Sequence, residues 1–599
     1  MSTPVRKRLA VVDRDRCQPK RCGHPCIAVC PRVRTGVEAI RTGDEGYPIV
    51  NEELCIGCGI CTHNCPFDAI HIVNLPHPIQ EECVHRYGVN AFALFRLPYP
   101  RPGAVVGLLG KNGTGKTTTI RILAGRTVPN FGDVTVQLDW REVSVRFRAT
   151  PLQTYFEKLA ENRLRVAYKP QYITRIPDAV EGSVRELLDR IGTPEEVKRI
   201  ARELRLEKVL DREVKVLSGG ELQRLAVAAV VLREADVYLI DEPSSYLDVE
   251  QRLQVARVIR KLATEGKSVI VAEHDLVVLD YLSDYILIYY GQEGVFGVVS
   301  HPHPVRVGIN LFVKGYLPDE NVLVRKRSIE FHVRPPERGF ERPLAFAWGD
   351  FVKRYPQFEL HVEQGSAYKG EVVGIVGPNG IGKTTFIRIL AGVEKPSEGD
   401  EPHLGIVVSY KPQHPKGDAE NLVREVLAPF RTRMQSDFFR EELIRPLRIE
   451  RLFDQRICDL SGGELQRVAI AACLLRVADV YLLDEPSAFL DVEERYAVAK
   501  VIRRIVEREG KVCFVVDHDV SFIDAVADRL MVFEGIPASR GFAHAPTDLR
   551  TGMNMFLKML QITFRRDPDT GRPRVNKEGS ALDRYQKQIG EYYYVPKES

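Results

Sequence analysis

One unit is written twice in this chain, and that repeat constrains the fold more than any other feature. The apolar run Val105–Leu109 leads into Gly110-Lys-Asn112-Gly113-Thr-Gly115-Lys116-Thr117-Thr118, and Val372–Val376 leads into Gly377-Pro-Asn379-Gly380-Ile-Gly382-Lys383-Thr384-Thr385. Glycines at these places let the backbone curl so that successive N–H groups and a helix N-terminus face phosphates. Lys116 or Lys383 then reaches the β- and γ-phosphates, and the hydroxyl of Thr117 or Thr384 holds Mg2+. A strand, a phosphate loop and a helix in that order predict an α/β fold around a parallel sheet.

Four further motifs follow each loop in the same order. Gln171 and Gln413 each close a Lys-Pro-Gln, at 55 positions after Lys116 and 30 after Lys383. Leu217-Ser218-Gly219-Gly220-Glu221 and Leu460-Ser461-Gly462-Gly463-Glu464 each run on into Leu-Gln-Arg and an apolar helical stretch. Val237–Asp241 and Val480–Asp484 are apolar strands ending in an acid, with Glu242 and Glu485 next. His274 and His518 complete the sets, each followed by Asp. Asp241 and Asp484 are assigned to the metal, and Glu242 and Glu485 to polarising the attacking water.

These motifs resemble those of ATP-binding cassette proteins, and the resemblance implies more than spacing does. Gln171 and Gln413 would join the magnesium shell, and His274 and His518 would act as switch histidines. Each ATP would be gripped by the phosphate loop of one cassette and the signature of the other. One composite site would join Lys116, Gln171, Glu242 and His274 to Ser461, Gly462 and Gly463. Its mate would join Lys383, Gln413, Glu485 and His518 to Ser218, Gly219 and Gly220. An aromatic upstream of the loop would stack on adenine, with Tyr87 and Phe92 the candidates in the first copy and Tyr355 in the second.

Eight cysteines lie in two runs near the start: Cys17, Cys22, Cys26, Cys30-Pro31 and Cys55, Cys58, Cys61, Cys65-Pro66. The second has ferredoxin spacing, in which three thiolates hold one [4Fe-4S] cube and the fourth crosses to the other. That rule gives Cys17, Cys22, Cys26 and Cys65 to one cube, and Cys55, Cys58, Cys61 and Cys30 to its neighbour. The first run departs from that spacing. Two structural zinc ions are the alternative, since paired cysteines also suit zinc. Disulfides fit less well, because no secretory leader is read at the start and cytosolic thiols stay reduced. Cys83, Cys458, Cys473 and Cys513 read as packing residues.

Of the 599 residues, 44% are apolar, enough for several cores, and no apolar run reaches a membrane-spanning length. Lys and Arg number 85 against 81 Asp and Glu, too even to imply nucleic acid, although Met1–Gly36 holds nine basic and two acidic residues. The extra length before Gln171 lies at about 132–166 and reads as helix, loop, helix, with Arg146 and Arg148 near the turn. Gly308-Ile-Asn-Leu-Phe312 echoes Gly552-Met-Asn-Met-Phe556 after the respective cassettes, which suggests paired hinge elements.

This combination resembles the ABC-E, or RNase L inhibitor, family of ribosome recycling factors over essentially the whole chain. The resemblance implies an α/β protein with an N-terminal ferredoxin-like iron-sulfur domain at 1–80. Two ABC-type P-loop ATPase domains would follow at 81–299 and 346–534, with hinge segments at 300–345 and 535–599. It implies two [4Fe-4S] clusters, ATP and Mg2+. The expected activity is ATP-driven splitting of ribosomes after termination or stalling. Expected partners are the small subunit and its ribosomal RNA, a class-one release factor or Pelota, and initiation factors. The chain would act as a cytoplasmic monomer, without a membrane, its two cassettes pairing with each other. An electron-transfer enzyme would need a flavin or nicotinamide fingerprint, which is not evident. The ABC-F translation factors lack the cysteine domain.

Overall fold

The computed structural model describes residues 8–594, apart from 15, 44–45, 52–53, 75–81, 174–175, 326, 332–341, 400–401, 403–404, 416 and 418. Arg6 and Lys7 of the basic start, the boundary proposed at 80–81 and residues 326 and 332–341 of the first hinge segment therefore lie outside the described residues. The chain divides into two compact units, Met1–Tyr246 with Gln254–Arg327, and Leu247–Leu253 with Ser328–Ser599.

The first unit is organised by a sheet whose parallel strands run in the order Val166–Lys169, Val237–Asp241, Ser268–Ala272, Val105–Gly110, Tyr285–Gln292. These are near-continuous apolar runs because helices cover both faces of a parallel sheet. The order places the strand leading to His274 between the phosphate-loop strand and the strand leading to Glu242, so three motifs far apart in sequence end side by side. Phe296–Val299, Ala93–Phe95 and Cys83–Arg86 extend the sheet on one side and bring Phe92 to the phosphate loop.

The second unit repeats the pattern: Val408–Lys411, Val480–Asp484, Val512–Val516, Glu371–Val376 and Arg529–Ile536, parallel, then Arg540–Ala543, Phe358–Val362 and Phe351–Tyr355. Its core is aromatic, with Phe386, Phe514 and Phe533 buried beside Trp348.

The extra residues of the first cassette form helices Trp140–Arg146 and Pro151–Ala160. Asp139 caps the first by accepting from Glu142 N–H, and Pro151 opens the second, where its missing N–H costs nothing. Their apolar sides meet through Phe147 and Trp140 stacked on Phe156, while Arg146 and Arg148 stay exposed.

Each Gly-x-Asn-x-Phe sits inside a helix, Val305–Lys314 or Leu549–Leu560, packed on the last parallel strand of its own unit. Packing explains the pattern: a Cβ on Gly308 would come within 2.8 Å of Ile286 Cβ, and one on Gly552 within 2.6 Å of Leu530 Cβ. Phe312 and Phe556 are buried.

The cysteine region belongs to the first unit and pairs Arg8–Val12 with Ile70–Asn74, and Ile40–Thr42 with Pro48–Val50. Short helices Pro19–Cys22, Pro25–Ala28 and Ile60–His63 carry Cys22, Cys26 and Cys61, and Cys30 caps the helix Pro31–Arg34. Of the four remaining cysteines, Cys473 and Cys513 are core residues, whereas Cys458 is exposed and so is not the packing residue expected. No described helix is long and apolar enough to cross a membrane.

Candidate active sites and iron-sulfur centre

Each phosphate loop closes on its own lysine. Lys116 Nζ donates to the carbonyls of Gly110 and Lys111 at 2.9 and 2.6 Å, and Lys383 Nζ to those of Gly377 and Pro378 at 2.8 and 2.7 Å. Gly115 and Gly382 cap the following helices at φ of 96° and 103°, a conformation that favours glycine. A Cβ on either would strike an aromatic ring, Phe92 at 2.9 Å or Phe358 at 3.0 Å. Phe358 is therefore the counterpart of Phe92. The sequence reading missed it, although Phe92-Ala-Leu94 and Phe358-Glu-Leu360 lead their loops in parallel. Tyr87 lies 6.4 Å from Phe92 and its hydroxyl is 3.2 Å from Thr118 Oγ1. Tyr355 stacks on Phe358 at 6.3 Å and hydrogen-bonds Glu394.

The acids at the ends of the strands Val237–Asp241 and Val480–Asp484, the Walker B strands, lie beside the loops. Thr117 donates to Asp241 at 2.8 Å, while both oxygens of Asp484 are buried without a hydrogen-bond partner. Burial first, then the adjacent glutamate, pushes both aspartates up to about 6. An orphaned buried carboxylate next to a threonine is a donor set suited to Mg2+, which uses one or two protein oxygens and takes the rest from water and phosphate.

Glu242 and Glu485 face their histidines. His274 Nε2 lies 3.5 Å from Glu242 Oε1, and His518 Nε2 lies 3.2 Å from Glu485 Oε1. Burial works to raise these glutamates, but the imidazoles and the nearby lysines outweigh it and hold both at about 2. Gln171 and Gln413 donate to the same Oε1 atoms at 2.8 and 2.7 Å. Each cassette thus gathers its own lysine, threonine, aspartate, glutamate, histidine and glutamine.

Two pairs of residues quoted only as motif flanks turn out to support this cluster. Lys169 Nζ donates to the carbonyls of Asp241 and Glu242 at 2.8 and 3.2 Å, and Lys411 to those of Asp484 and Glu485 at 2.7 and 3.2 Å. Burial lowers both lysines to about 8. Gln223 and Gln466 reach the same glutamate carbonyls. Charge alone gave no sign of these roles.

Ser218 and Ser461 cap helices Gly219–Val231 and Gly462–Leu475 through capping boxes with Glu221 and Glu464. The serines and the first glycines are exposed, so each helix start offers its N–H groups outward from its own cassette.

In the cysteine region the thiols of both runs lie close enough to act on one another. Burial, then Cys22, Cys65 and Cys26, push Cys17 up to about 12. Burial, then Cys55, Cys58, Cys26 and Cys30, do the same to Cys61. Cys30, Cys55, Cys58 and Cys61 also line one cavity with Ile40, Ile56 and Ile72. Among the described residues no group of three or more His, Cys, Asp or Glu converges closely enough to hold a single ion. Four thiols around one apolar cavity fit a cube.

Comparison with known proteins agrees. The ABC transporter family model matches residues 99–245 and 361–488. The model described as a possible Fer4-like domain in RNase L inhibitor, RLI, matches 8–38, and the 4Fe-4S binding domain matches 48–71. The cofactors are therefore [4Fe-4S] clusters, ATP and Mg2+. Translation initiation factor RLI1 of Saccharomyces cerevisiae is 45% identical over 599 residues, covering 98% of each chain. A ribosome-bound archaeal Pelota and ABCE1 model contains a chain 54% identical, with a TM-score of 0.92 over 98% of this chain and 99% of that one. An archaeal ribosome recycling factor, aABCE1, in complex with the ribosomal stalk protein aP1 is also 54% identical, with a TM-score of 0.82 over 87% of this chain and 100% of that one. The chain, with its iron-sulfur region and two ATPase cassettes, belongs to the ABC-E, or RNase L inhibitor, family.

Proposed function

We propose that this chain is a cytoplasmic ATPase that splits ribosomes into subunits after termination or stalling, working beside Pelota or a class-one release factor. The observation that carries the reading is the presence of two complete nucleotide clusters and an iron-sulfur domain in one chain. That chain matches a ribosome-bound relative over nearly its full length. The stalk protein, the small subunit, its ribosomal RNA and initiation factors are further partners on this reading.

Lys116 and Lys383, with the loop N–H groups, hold the phosphates, and Tyr87, Phe92, Tyr355 and Phe358 hold adenine. Thr117 with Asp241, and Thr384 with Asp484, hold Mg2+, joined by Gln171 and Gln413. An ion held by these residues would supply positive charge against the negative charge that develops on the phosphates. Glu242 and Glu485 stay ionised at neutral pH and orient the attacking water. His274 and His518 keep those carboxylates aimed. The exposed starts of the signature helices complete the opposite sites from Ser461, Gly462 and Gly463, and from Ser218, Gly219 and Gly220. Charge at the γ-position favours closure, and its loss favours opening. Closure would move the iron-sulfur head against the bound factor, with the hinge segments and the exposed Arg146 and Arg148 meeting ribosomal RNA phosphates.

The test is a gradient assay of vacant or stalled ribosomes with Pelota or release factor. Free subunits should accumulate only with the protein and ATP. Intact ribosomes in the presence of vigorous ATP turnover would overturn the reading.

A further inference from the structure

Glu242 and Glu485 stand at φ of 47° and 48°, a left-handed conformation costly for any residue with a Cβ. Both are held there by the same anchors. The backbone N–H donates to Ala272 O at 2.9 Å or Val516 O at 2.8 Å. The carbonyl accepts from the buried lysine, and also from the side chain of a glutamine on the signature helix, Gln223 Nε2 at 2.7 Å or Gln466 Nε2 at 2.5 Å.

These glutamines are fully buried, at 0% and 1% exposure, and the other end of each amide, Oε1, has no hydrogen-bond partner. The nitrogen faces a carbonyl, which can only accept, so the amide orientation is fixed. A buried amide whose acceptor is left unmatched in both copies is a poor packing element and serves as a donor. The glutamine lies five residues beyond the capping serine, about 7 Å along the helix.

We propose that Gln223 and Gln466 are positioning residues: each fixes the water-activating glutamate of its own cassette by its carbonyl and ties that glutamate to the helix whose start serves the other ATP. This rests on the composite-site reading above. It makes the signature helix a rigid link between the two sites, so that occupancy sensed at Ser218 is felt at Glu242, and occupancy sensed at Ser461 at Glu485.

The test uses the full-length holoprotein without ribosomes in a Glu485→Gln background, where the remaining turnover belongs to Glu242. Gln223→Met removes the donor and keeps the bulk. It should lower kcat about tenfold or more, as misplacement near the reacting atoms does, with KM for ATP unmoved. Gln466→Met makes the same change beside the silenced glutamate, and the two variants should differ by at least that factor. Equal losses from both, or a loss appearing in KM, would overturn the proposal by showing a general effect on the signature helices. Gln223→Glu, an isostere without a donor when ionised, should reproduce the kcat loss if Gln223→Met fails to fold, and wild-type turnover in it would also overturn the proposal. The composite-site reading is tested separately by Ser461→Arg in the same background, which must abolish the residual turnover whatever Gln223→Met does.

Discussion

Gln171 donates from Nε2 to Oε1 of Glu242 across 2.8 Å, so the glutamine assigned to the magnesium shell also steadies the carboxylate that orients water. Its second end, Oε1, is the only atom of the amide that can ligate a cation. Gln171→Ala should therefore raise the Mg2+ concentration for half-maximal turnover and lower kcat at saturating Mg2+, by about tenfold for an outer-shell partner. Gln171→Glu would set two carboxylates against each other. Magnesium titrations of ATP turnover at the first site, with Glu485→Gln silencing the second, separate the two effects.

Burial, then the ionised glutamate beside each, pushes Asp241 and Asp484 up to about 6. Their folded values lie above the ordinary carboxylate value of about 4. Their contribution to stability is therefore complete below about 4 and is lost as pH rises through about 6. Mg2+ needs the ionised form and competes with the proton. The acid limb of ATP turnover should fall near pH 6 at limiting Mg2+ and move to lower pH as Mg2+ is raised. Glu242 and Glu485, at about 2, stay charged across that window. An acid limb indifferent to Mg2+ would place the limiting proton elsewhere.

The crossing rule makes a prediction that iron counting can check. Cys17→Ser and Cys65→Ser should each remove the same cluster although 48 residues separate them, while Cys30→Ser should remove the other. Each variant should retain about four iron and four sulfide in place of about eight. Cys17→Ser and Cys65→Ser should leave identical residual electron paramagnetic resonance spectra after reduction. Different residual spectra for that pair would mean that the fourth ligand does not cross.

The phosphate loops, the Walker B acids and the cysteine runs were legible in the sequence because their chemistry needs fixed residue types at fixed spacing. Lys169, Lys411, Gln223 and Gln466 were not, since a lysine or glutamine on the page does not say that it is buried against a carbonyl. Phe358 escaped because its role comes from a strand that joins the sheet beside the loop, which is a tertiary fact. The Gly-x-Asn-x-Phe repeat was visible, but its physical cause, a helix lying against Ile286 or Leu530, depends on which strand it packs on.

If Phe358 and Tyr355 form the adenine platform of the second site, removing either ring should cost nucleotide affinity. Base stacking on an aromatic is worth about 1–3 kcal/mol. Phe358→Ala should weaken ATP binding at that site about tenfold and weaken GTP binding comparably, since stacking tolerates any base. Equilibrium binding of a fluorescent nucleotide, with Lys116→Ala emptying the first site, reads this directly. The ring also packs against Gly382, so Phe358→Leu serves as the packing control. Affinity lost equally in both variants would identify Phe358 as the platform, and affinity kept in Phe358→Leu would assign it to supporting the loop.

Gly552 lies where the helix Leu549–Leu560 meets its sheet, with Leu530 Cβ only 2.6 Å from where a side chain would begin. Gly552→Ala cannot be accommodated by a rotamer change, because the contact is to a Cβ on a central strand. Overpacking of this kind costs about 1–3 kcal/mol. It opposes the gain in helix propensity on replacing Gly, which is about 1 kcal/mol. The net expectation is a loss of stability of the second unit with its Walker motifs undisturbed. Thermal unfolding should show a lowered transition, while ATP turnover well below that transition stays near wild type. An unchanged transition would mean that the helix shifts freely on the strand, the behaviour expected of a hinge element.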